Sequence, residues 1–477
     1  MNNVTLPLKL GFVVWDELEK KGIKRRMHPK TGLLSFDFLQ EELDSIEKLT
    51  FTNLTPGSLK GISNLRNLKS LSIERTSTKV KGHRLRSGVY IPQDHYTLQR
   101  NVPSISDKDM IEIEKIESLE SLSIVGQSKI SWIDVSRLTK LKYLNISGNM
   151  RLESIDGLEK LKSLGWLTLI ANHELENANG LNTCLNNGHV DTVSLDPQLF
   201  PTAINYNHRT GTEDISLIEK MKDLDINIDF FETMTSAKDI KMNLHQMLMV
   251  HDKAKKIVKF IDEMRPSTRT RIMLTQAYLG DMVKYDTESL GKNHTHSENG
   301  IVQGPIHGAN GIFNCLCLNT CVCEGYTRGA KYLLGLQNIK SRQVRCIAGR
   351  DNGDFAKAEK DIYSQSLNLP NDGYHSILLV QDLSSDHWGY CDPCWNATYY
   401  KKCGTMPFML MANDEIKETH TLSLEEQNMS IIGNSYRREM LTQETGFVIQ
   451  MYGKHKREKM MKNSKASEDK KLDETER

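Results

Sequence analysis

Cys323 has the sequence surroundings that a nucleophilic thiol requires. It directly precedes a segment in which apolar residues recur at helical spacing: Tyr326, Ala330, Leu333 and Leu334. This spacing predicts a helix that starts near Glu324, followed by a strand over RQVRCIAG. Because the free N–H groups and the dipole at a helix N-terminus stabilise a thiolate, Cys323 is the candidate nucleophile for acyl chemistry.

A general base and an orienting carboxylate occur together in the segment DGYHSILLVQDLSSDHWGYCDPCW, whose two apolar stretches flank a polar turn. The pattern predicts a β-hairpin with a four-residue loop at 382–385. In that register Leu379 faces Trp388, Ile377 faces Tyr390, and His375 faces Asp392. The carboxylate would then hold the imidazole in the tautomer that accepts the thiol proton. The sequence therefore predicts a catalytic triad of Cys323, His375 and Asp392.

The remaining cysteines allow two other interpretations. Eight of the nine cysteines lie after residue 314, and they form C-x-C-x3-C-x-C at 315–323 and C-x2-C-x8-C at 391–403. Thiolates at such spacings bind zinc in some proteins, and Cys321 with Cys323 is a possible redox pair. The usual pair of C-x2-C knuckles is absent, so we expect neither a metal nor a cofactor.

These motifs together resemble the transglutaminase-like superfamily, whose fold is papain-like. C-E-G-Y-x-R at Cys323 matches its nucleophile motif, and W-x-Y-x-D-P-x-W, which contains Asp392, matches the segment after its histidine. Weaker matches are KYD at 284–286 and MANDEIKETH at 411–420, the latter similar to a stretch that follows the triad in bacterial members. The resemblance covers residues 250–425. It implies an α+β domain with Cys323, His375 and Asp392 as its triad.

The resemblance also implies a reaction. A thiolate would attack an amide of a protein or peptide and form an acyl-enzyme, which water or an amine would then resolve. Members of the family usually have Trp and Asn just after the catalytic histidine, where this chain has Ser376, Ile377 and Leu378, and Cys394 replaces a common Thr. A catalytically degenerate protein-binding scaffold is therefore the alternative function.

A repeat runs through the first half of the chain. The pattern L-x-x-L-x-x-L-x-I starts at Ile116, Leu138 and Leu161, 22 and 23 residues apart, and related spacings precede it from Leu43 and Leu65. A period in the low twenties is typical of leucine-rich repeats, and Asn149 is the residue type that turns the chain in such repeats. Repeats of this kind form a solenoid whose strand face binds a protein or peptide.

Charge and hydropathy exclude several classes of function. Lys+Arg number 62 and Asp+Glu number 61, which argues against nucleic-acid or membrane-surface binding. The sequence contains no apolar run of 18 residues and no signal-peptide pattern at its N-terminus. We expect a cytoplasmic protein with free thiols, and export by a signal-less route remains open.

The predicted organisation has five parts. An N-terminal cap at 1–40 precedes leucine-rich repeats at 41–196, with a basic insertion near 75–108 that is a solvated loop or a site for an acidic partner. Cap and linker helices occupy 197–250. A transglutaminase-like domain spans 251–453, and a charged tail at 454–477 is expected to be disordered.

Overall fold

The computed structural model of the protein describes residues 3–75, 78–80, 83–84, 90–91, 95–97, 104–149, 151–172, 174–187, 189–214, 216–219, 227–232, 240–287, 309–348, 374–382, 387–422 and 438–475. These residues form a mixed α/β structure. They divide into two compact units, one that extends to Met247 and one that begins at Leu248.

The first unit is built mainly of strands. Its strands are β1 (Asn3–Thr5), β2 (Asp37–Leu39), β3 (Lys48–Thr52), β4 (Ser70–Glu74), β5 (Thr78–Val80), β6 (His83–Arg84), β7 (Tyr90–Ile91), β8 (His95–Thr97), β9 (Ser121–Val125), β10 (Trp132–Asp134), β11 (Tyr143–Ser147), β12 (Ser154–Asp156), β13 (Trp166–Ile170), β14 (Asn177–Ala178), β15 (Thr192–Leu195), β16 (Asn227–Glu232) and β17 (Ile240–Asn243). Its α-helices are α1 (Leu8–Lys20), α2 (Gln40–Asp44), α3 (Asp107–Ile113), α4 (Leu181–Asn186) and α5 (Phe200–Ala203). Short 3-10 turns lie at Ile62–Asn64, Leu158–Lys160 and Pro197–Leu199.

An eight-stranded sheet in the order β17-β16-β15-β13-β11-β9-β4-β3 forms the centre of this unit. All of these strands pair in parallel except β17, which is antiparallel to β16. The register places the equivalent leucines of the sequence repeat side by side: Leu71, Leu122, Leu144 and Leu167. Each of them is at most 1% exposed, so the leucines form one buried column.

Buried asparagines close the turns that follow these strands. The Asn149 side chain accepts the backbone N–H of Gln127 at 2.9 Å and donates to the Ile124 carbonyl at 3.0 Å. Asn172 repeats the arrangement one step along the sheet, accepting the N–H of Asn149 at 3.0 Å and donating to the Ile146 carbonyl at 2.8 Å. An amide side chain suits this position because it has both a donor and an acceptor for backbone groups that are out of reach of water.

One part of the first unit differs from the sequence-based expectation, and another lies mostly outside the residues that the structure describes. Residues 197–250 were expected to form cap and linker helices. The turn at Pro197–Leu199, α5 and the start of the helix Leu244–Asp262 lie there. In addition, β16 and β17 extend the sheet, because Ile228 and Phe230 alternate with polar residues and are buried. The insertion near 75–108 lies largely outside the described residues. Its described parts are two short antiparallel pairs, β5 with β8 and β6 with β7, and the beginning of α3.

The second unit combines helices with a small antiparallel sheet. Its helices are α6 (Leu244–Asp262), which begins in the first unit and continues into the second, and α7 (Thr268–Met282), α8 (Ile312–Leu316), α9 (Cys323–Leu336), α10 (Pro393–Cys403), α11 (Asn413–Ile416) and α12 (Arg438–Thr475). Its strands are β18 (Lys284–Tyr285), β19 (Thr320–Cys321), β20 (Ser341–Ala348), β21 (Tyr374–Asp382), β22 (His387–Cys391) and β23 (His420–Leu422). The sheet has the order β22-β21-β20-β23, and β18 pairs separately with β19.

The hairpin of β21 and β22 exists, but its predicted register was wrong by two residues. Leu379 pairs with Tyr390 rather than with Trp388, because Asp382 belongs to the strand and pairs with His387. The buried carboxylate of Asp382 accepts a hydrogen bond from Nε of Arg269 at 2.8 Å. This contact favours a strand conformation at Asp382 over a turn. A shift of two residues preserves the alternation of faces, so the side of the sheet on which each residue lies is unchanged.

The C-terminal segment is helical rather than disordered up to Thr475. Val448 and Tyr452 of α12 are buried, and the Tyr452 hydroxyl donates to Asp281 of α7 at 2.8 Å. Lys459 forms an ion pair with Glu263 at 2.7 Å. Low apolar content suggested disorder, but these few anchors, in a sequence rich in helix-forming Lys, Glu and Met, stabilise a helix. Among the helices of the described part, none is long and apolar enough to span a bilayer.

Leu144→Ala should destabilise the first unit by about 2–5 kcal/mol, because it leaves a cavity in the leucine column. Urea denaturation followed by circular dichroism measures the change. Lys142→Ala is the matched control: the Lys142 side chain is 65% exposed, and the expected change is within about 0.5 kcal/mol. Equal effects of the two substitutions would contradict the column.

Candidate active site

The candidate nucleophile lies at the first residue of α9, as the helical spacing predicted. Cys323 follows the extended N-cap residue Val322 and is partly buried. The first backbone N–H groups of a helix have no intrahelical acceptors, so the thiol lies at the positive end of the helix dipole. Upstream, β18 pairs in parallel with β19, and the N–H of Asp286 donates to the Cys321 carbonyl at 3.0 Å. This pairing places the KYD segment beside the start of the nucleophile helix.

The candidate base lies between the nucleophile and the candidate acid. His375 is the second residue of β21 and pairs with Cys346 of β20. Its Nε2 is 2.7 Å from an Asp392 carboxylate oxygen, and the Cys323 thiol lies close enough to the ring to raise the pKa of His375. Because Nε2 contacts Asp392, Nδ1 is the nitrogen left for Cys323. The structure thus brings together all three residues that the sequence singled out.

The charge of Asp392 explains the protonation of His375. Burial alone would lower the pKa of His375, but the charge of Asp392, the hydrogen bond with Asp392 and the neighbouring Cys323 thiol outweigh burial and raise the pKa to about 10. Burial would likewise raise the pKa of Asp392, but the charge of His375 and the hydrogen bonds from His375 and His420 hold it well below its usual range. The two groups therefore form a buried ion pair.

Asp392 is positioned by the helix that follows it rather than by the hairpin alone. It is the N-cap of α10, and its Oδ1 accepts the backbone N–H of Trp395 at 2.9 Å. Proline at the next position favours the start of a helix there. With Oδ1 fixed by the cap, Oδ2 is directed toward His375. The side chain is fully buried.

A second histidine contacts the same carboxylate, and the sequence analysis did not single it out. His420 begins β23, and its Nε2 lies 3.1 Å from Asp392 Oδ2. It closes the segment 411–420 whose resemblance to bacterial members was noted, which is the signal that could have indicated it. Its role was not derivable from spacing, because 28 residues separate it from Asp392.

His375, Asp392 and His420 also offer ligand atoms within 4.8 Å of one another, a grouping that could hold a divalent ion. Two imidazoles and a carboxylate are ligands that zinc accepts. Both imidazoles already contact the carboxylate directly, at 2.7 and 3.1 Å. Among the residues that the structure describes, the cysteines form no such grouping.

A buried polar network fixes the nucleophile helix on the sheet. The Thr327 hydroxyl donates to the Ser376 carbonyl at 2.8 Å, and the Gln343 amide donates to the Ser376 hydroxyl at 2.9 Å. Gln343 also donates to Glu324 at 3.3 Å, and Glu324 forms an ion pair with Arg328 at 2.8 Å. Ser376, one of the departures from the family pattern, is thus a link between α9 and β21.

The other thiols differ from Cys323 in their surroundings. Burial raises the pKa of five of them: Cys184, Cys317, Cys321, Cys391 and Cys394. The neighbouring Cys315 thiol raises the pKa of Cys321 further. These five thiols are therefore protonated at neutral pH.

The His375–Asp392 pair should make folding stability depend on pH. Because the pKa of His375 is raised, its contribution is complete below the unfolded pKa of about 6.5 and is lost as the pH rises through about 10. Because the pKa of Asp392 is lowered, its contribution is complete above about pH 4 and is lost at lower pH. The difference in unfolding free energy between the wild type and His375→Gln should therefore be largest between about pH 4 and 6.5.

Urea denaturation across pH 3–10 measures this difference, and His455→Gln, at a partly exposed histidine of α12, is the control. A difference for His375→Gln that is flat with pH would contradict the ion pair.

Elemental analysis of the purified protein should find well under one zinc ion per chain. Zinc would require both Nε2 atoms to give up the protons that they share with Asp392. Stoichiometric zinc whose removal by a chelator unfolds the protein would instead indicate a structural metal site.

Comparison with known proteins gives only weak likenesses. No protein-family model matches the chain, and no curated protein matches it. An internalin, InlF from Listeria monocytogenes, is similar to 40% of this chain over 49% of its own length, with 20% identity and a TM-score of 0.24. A putative cysteine protease from Cytophaga hutchinsonii is similar to 39% of this chain over 48% of its own length, with 11% identity and a TM-score of 0.21. The chain thus spans about half the length of each of these two proteins.

Proposed function

We propose that the second unit is a transglutaminase-like cysteine enzyme that transfers acyl groups from protein or peptide amides, with Cys323, His375 and Asp392 as its triad. The observation that carries this proposal is the position of His375. One ring nitrogen contacts a buried carboxylate at 2.7 Å, and a thiol at a helix N-terminus lies beside the ring. Nucleophile, base and orienting group in this order are the requirement for thiol acyl transfer.

In the first half of the proposed reaction the Cys323 thiolate attacks the carbonyl carbon of an amide. The carbonyl oxygen takes up the negative charge beside the backbone N–H of Cys323. His375 gives its proton to the amide nitrogen, the carbon–nitrogen bond breaks, and an amine leaves. The acyl group remains on sulfur as a thioester.

In the second half water or an amine attacks the thioester. His375 takes the proton of the attacking molecule as the general base, the carbon–sulfur bond breaks, and the thiolate is restored. Asp392 keeps the imidazole in the orientation that both halves require and stabilises its charged form. The acceptor decides between hydrolysis and transamidation.

The first unit is proposed to be a leucine-rich repeat solenoid that binds a protein partner or substrate. Its exposed strand residues are small and polar along much of the sheet, and Trp166 stands among them with 44% of its surface exposed. The ring of Tyr143 lies 5.9 Å from that of Trp166 on the neighbouring strand. Tyr143 is half-buried, and aromatic side chains exposed as Trp166 is are common anchors of protein interfaces.

Alkylation of the cysteines tests the proposed nucleophile. Iodoacetamide at pH 6–7, mapped by mass spectrometry, should label Cys323 faster than Cys403, although Cys403 is the exposed thiol. The reason is that alkylation requires the thiolate, which the helix terminus and the His375 imidazolium favour at Cys323. His375→Ala should slow the labelling of Cys323 by about tenfold or more, and Asp392→Asn should slow it less.

Labelling of Cys403 in each variant is the internal control for reagent and access. Faster labelling of Cys403 than of Cys323 in the wild type, or no effect of His375→Ala, would remove the enzyme proposal. The alternative, a degenerate protein-binding scaffold, would then take its place. The features that favour it are Ser376, Ile377 and Leu378 after the histidine.

A further inference from the structure

His420 contacts the triad carboxylate, but the reaction proposed above does not use it. We propose that His420 is a positioning residue: by donating its Nε2–H to the same Asp392 oxygen that holds His375, it fixes the carboxylate that orients the base. This inference rests on the proposed acyl transfer. It adds a second imidazole to the predicted triad.

The backbone and the packing around His420 hold its ring in place. The residue begins β23 and pairs with Ala348 at the end of β20. Its ring lies 4.5 Å from that of Trp395 and 6.0 Å from that of Phe408, measured between centroids. The side chain is fully buried, so no water competes for its nitrogens.

The ionised carboxylate of Asp392 determines that Nε2 of His420 carries a proton, because a carboxylate offers only acceptors. The Thr419 hydroxyl lies 2.8 Å from Nδ1 and 3.3 Å from the Ile416 carbonyl, to which it donates. Nε2 is then the donor at 3.1 Å from Asp392 Oδ2. Both histidines therefore donate to one oxygen, and neither competes with Asp392 as an acceptor.

Asp392 thereby receives three N–H donors in a fully buried place. Oδ1 accepts from Trp395, and Oδ2 accepts from His375 and His420. Rotation of the carboxylate would break all three bonds. Without His420 the oxygen that faces His375 would keep one donor, and a buried carboxylate that lacks a donor is free to turn or shift toward another partner.

The two halves of the reaction depend on this orientation to different degrees. Alkylation of Cys323 requires only the thiolate. Deacylation also requires His375 to accept a proton from an attacking water in a defined direction. A fault in the orientation of Asp392 should therefore slow deacylation more than alkylation, which a general loss of structure would not do.

p-Nitrophenyl acetate separates the two halves without knowledge of the natural substrate. The thiolate displaces p-nitrophenol in a burst, with the His375 proton leaving on the phenol oxygen. Water then attacks the thioester and gives its proton to the neutral His375, which releases acetate at the steady-state rate and restores the thiolate. His420→Phe keeps a ring of similar size but has no donor, and it should slow deacylation by about tenfold, as expected for one lost hydrogen bond to a charged group. His420→Gln, whose amide offers an N–H near Nε2, should restore most of the rate.

A double-mutant cycle with Asp392→Asn asks whether His420 acts through Asp392. If it does, His420→Phe should change the deacylation rate by less than about twofold in the Asp392→Asn background, because the ionised partner is already gone. His455→Phe replaces a histidine outside the site and should leave both rates unchanged. Circular dichroism and thermal unfolding of each variant verify its fold.

The possible failures are distinguishable. A wild-type burst that persists in Cys323→Ala, or no burst at all, overturns the proposed function and with it this inference. If the burst depends on Cys323, two results would overturn the inference alone. One is an unchanged deacylation rate in folded His420→Phe. The other is an equal slowing by His420→Phe in the wild type and in Asp392→Asn. If His420→Phe does not fold, Thr419→Val tests the inference instead. This substitution removes the hydroxyl beside Nδ1 of His420 and should slow deacylation at least about threefold. An unchanged deacylation rate would overturn the inference.

Discussion

The buried charge of Asp392 is the constraint on which the rest of the candidate site depends. A carboxylate without access to water is costly unless donors surround it, and here a backbone N–H and two imidazoles do so. These donors come from the start of α10, from β21 and from β23, so three separate elements converge on one side chain. Removing any of these donors would leave the charge of Asp392 without a partner that it needs. The Trp395 ring packs against both imidazoles, at 5.4 Å from His375 and 4.5 Å from His420 between centroids.

The same constraint determines how the nucleophile helix must lie. Cys323 lies beside His375 only if α9 has the correct position along β21. The hydrogen bond from the Thr327 hydroxyl to the Ser376 carbonyl fixes that position. The residues that follow His375 therefore have structural roles. Ser376 links helix and strand, while Ile377 and Leu378 are buried on opposite faces of β21.

The first unit is stabilised by a different principle. Each repeat buries its leucines against its neighbours, and stability is close to a sum of such contacts. The polar counterpart is the asparagine ladder, in which Asn149 and Asn172 satisfy backbone groups of adjacent turns. Local rules repeated at constant spacing are sufficient here, which is why the leucine column followed from the sequence pattern alone.

The sequence by itself determined the features that depend on near neighbours in the chain. Helical spacing placed Cys323 at the start of α9, alternation identified β20, β21 and β22, and the repeat period identified which leucines align. Tertiary structure decided the rest. The ion pair with Arg269 holds Asp382 in its strand and shifts the hairpin register, and anchors on Glu263 and Asp281 turn a charged tail into α12. The second imidazole on Asp392 depends on β23 pairing with β20, a contact between residues far apart in the chain that no local periodicity encodes.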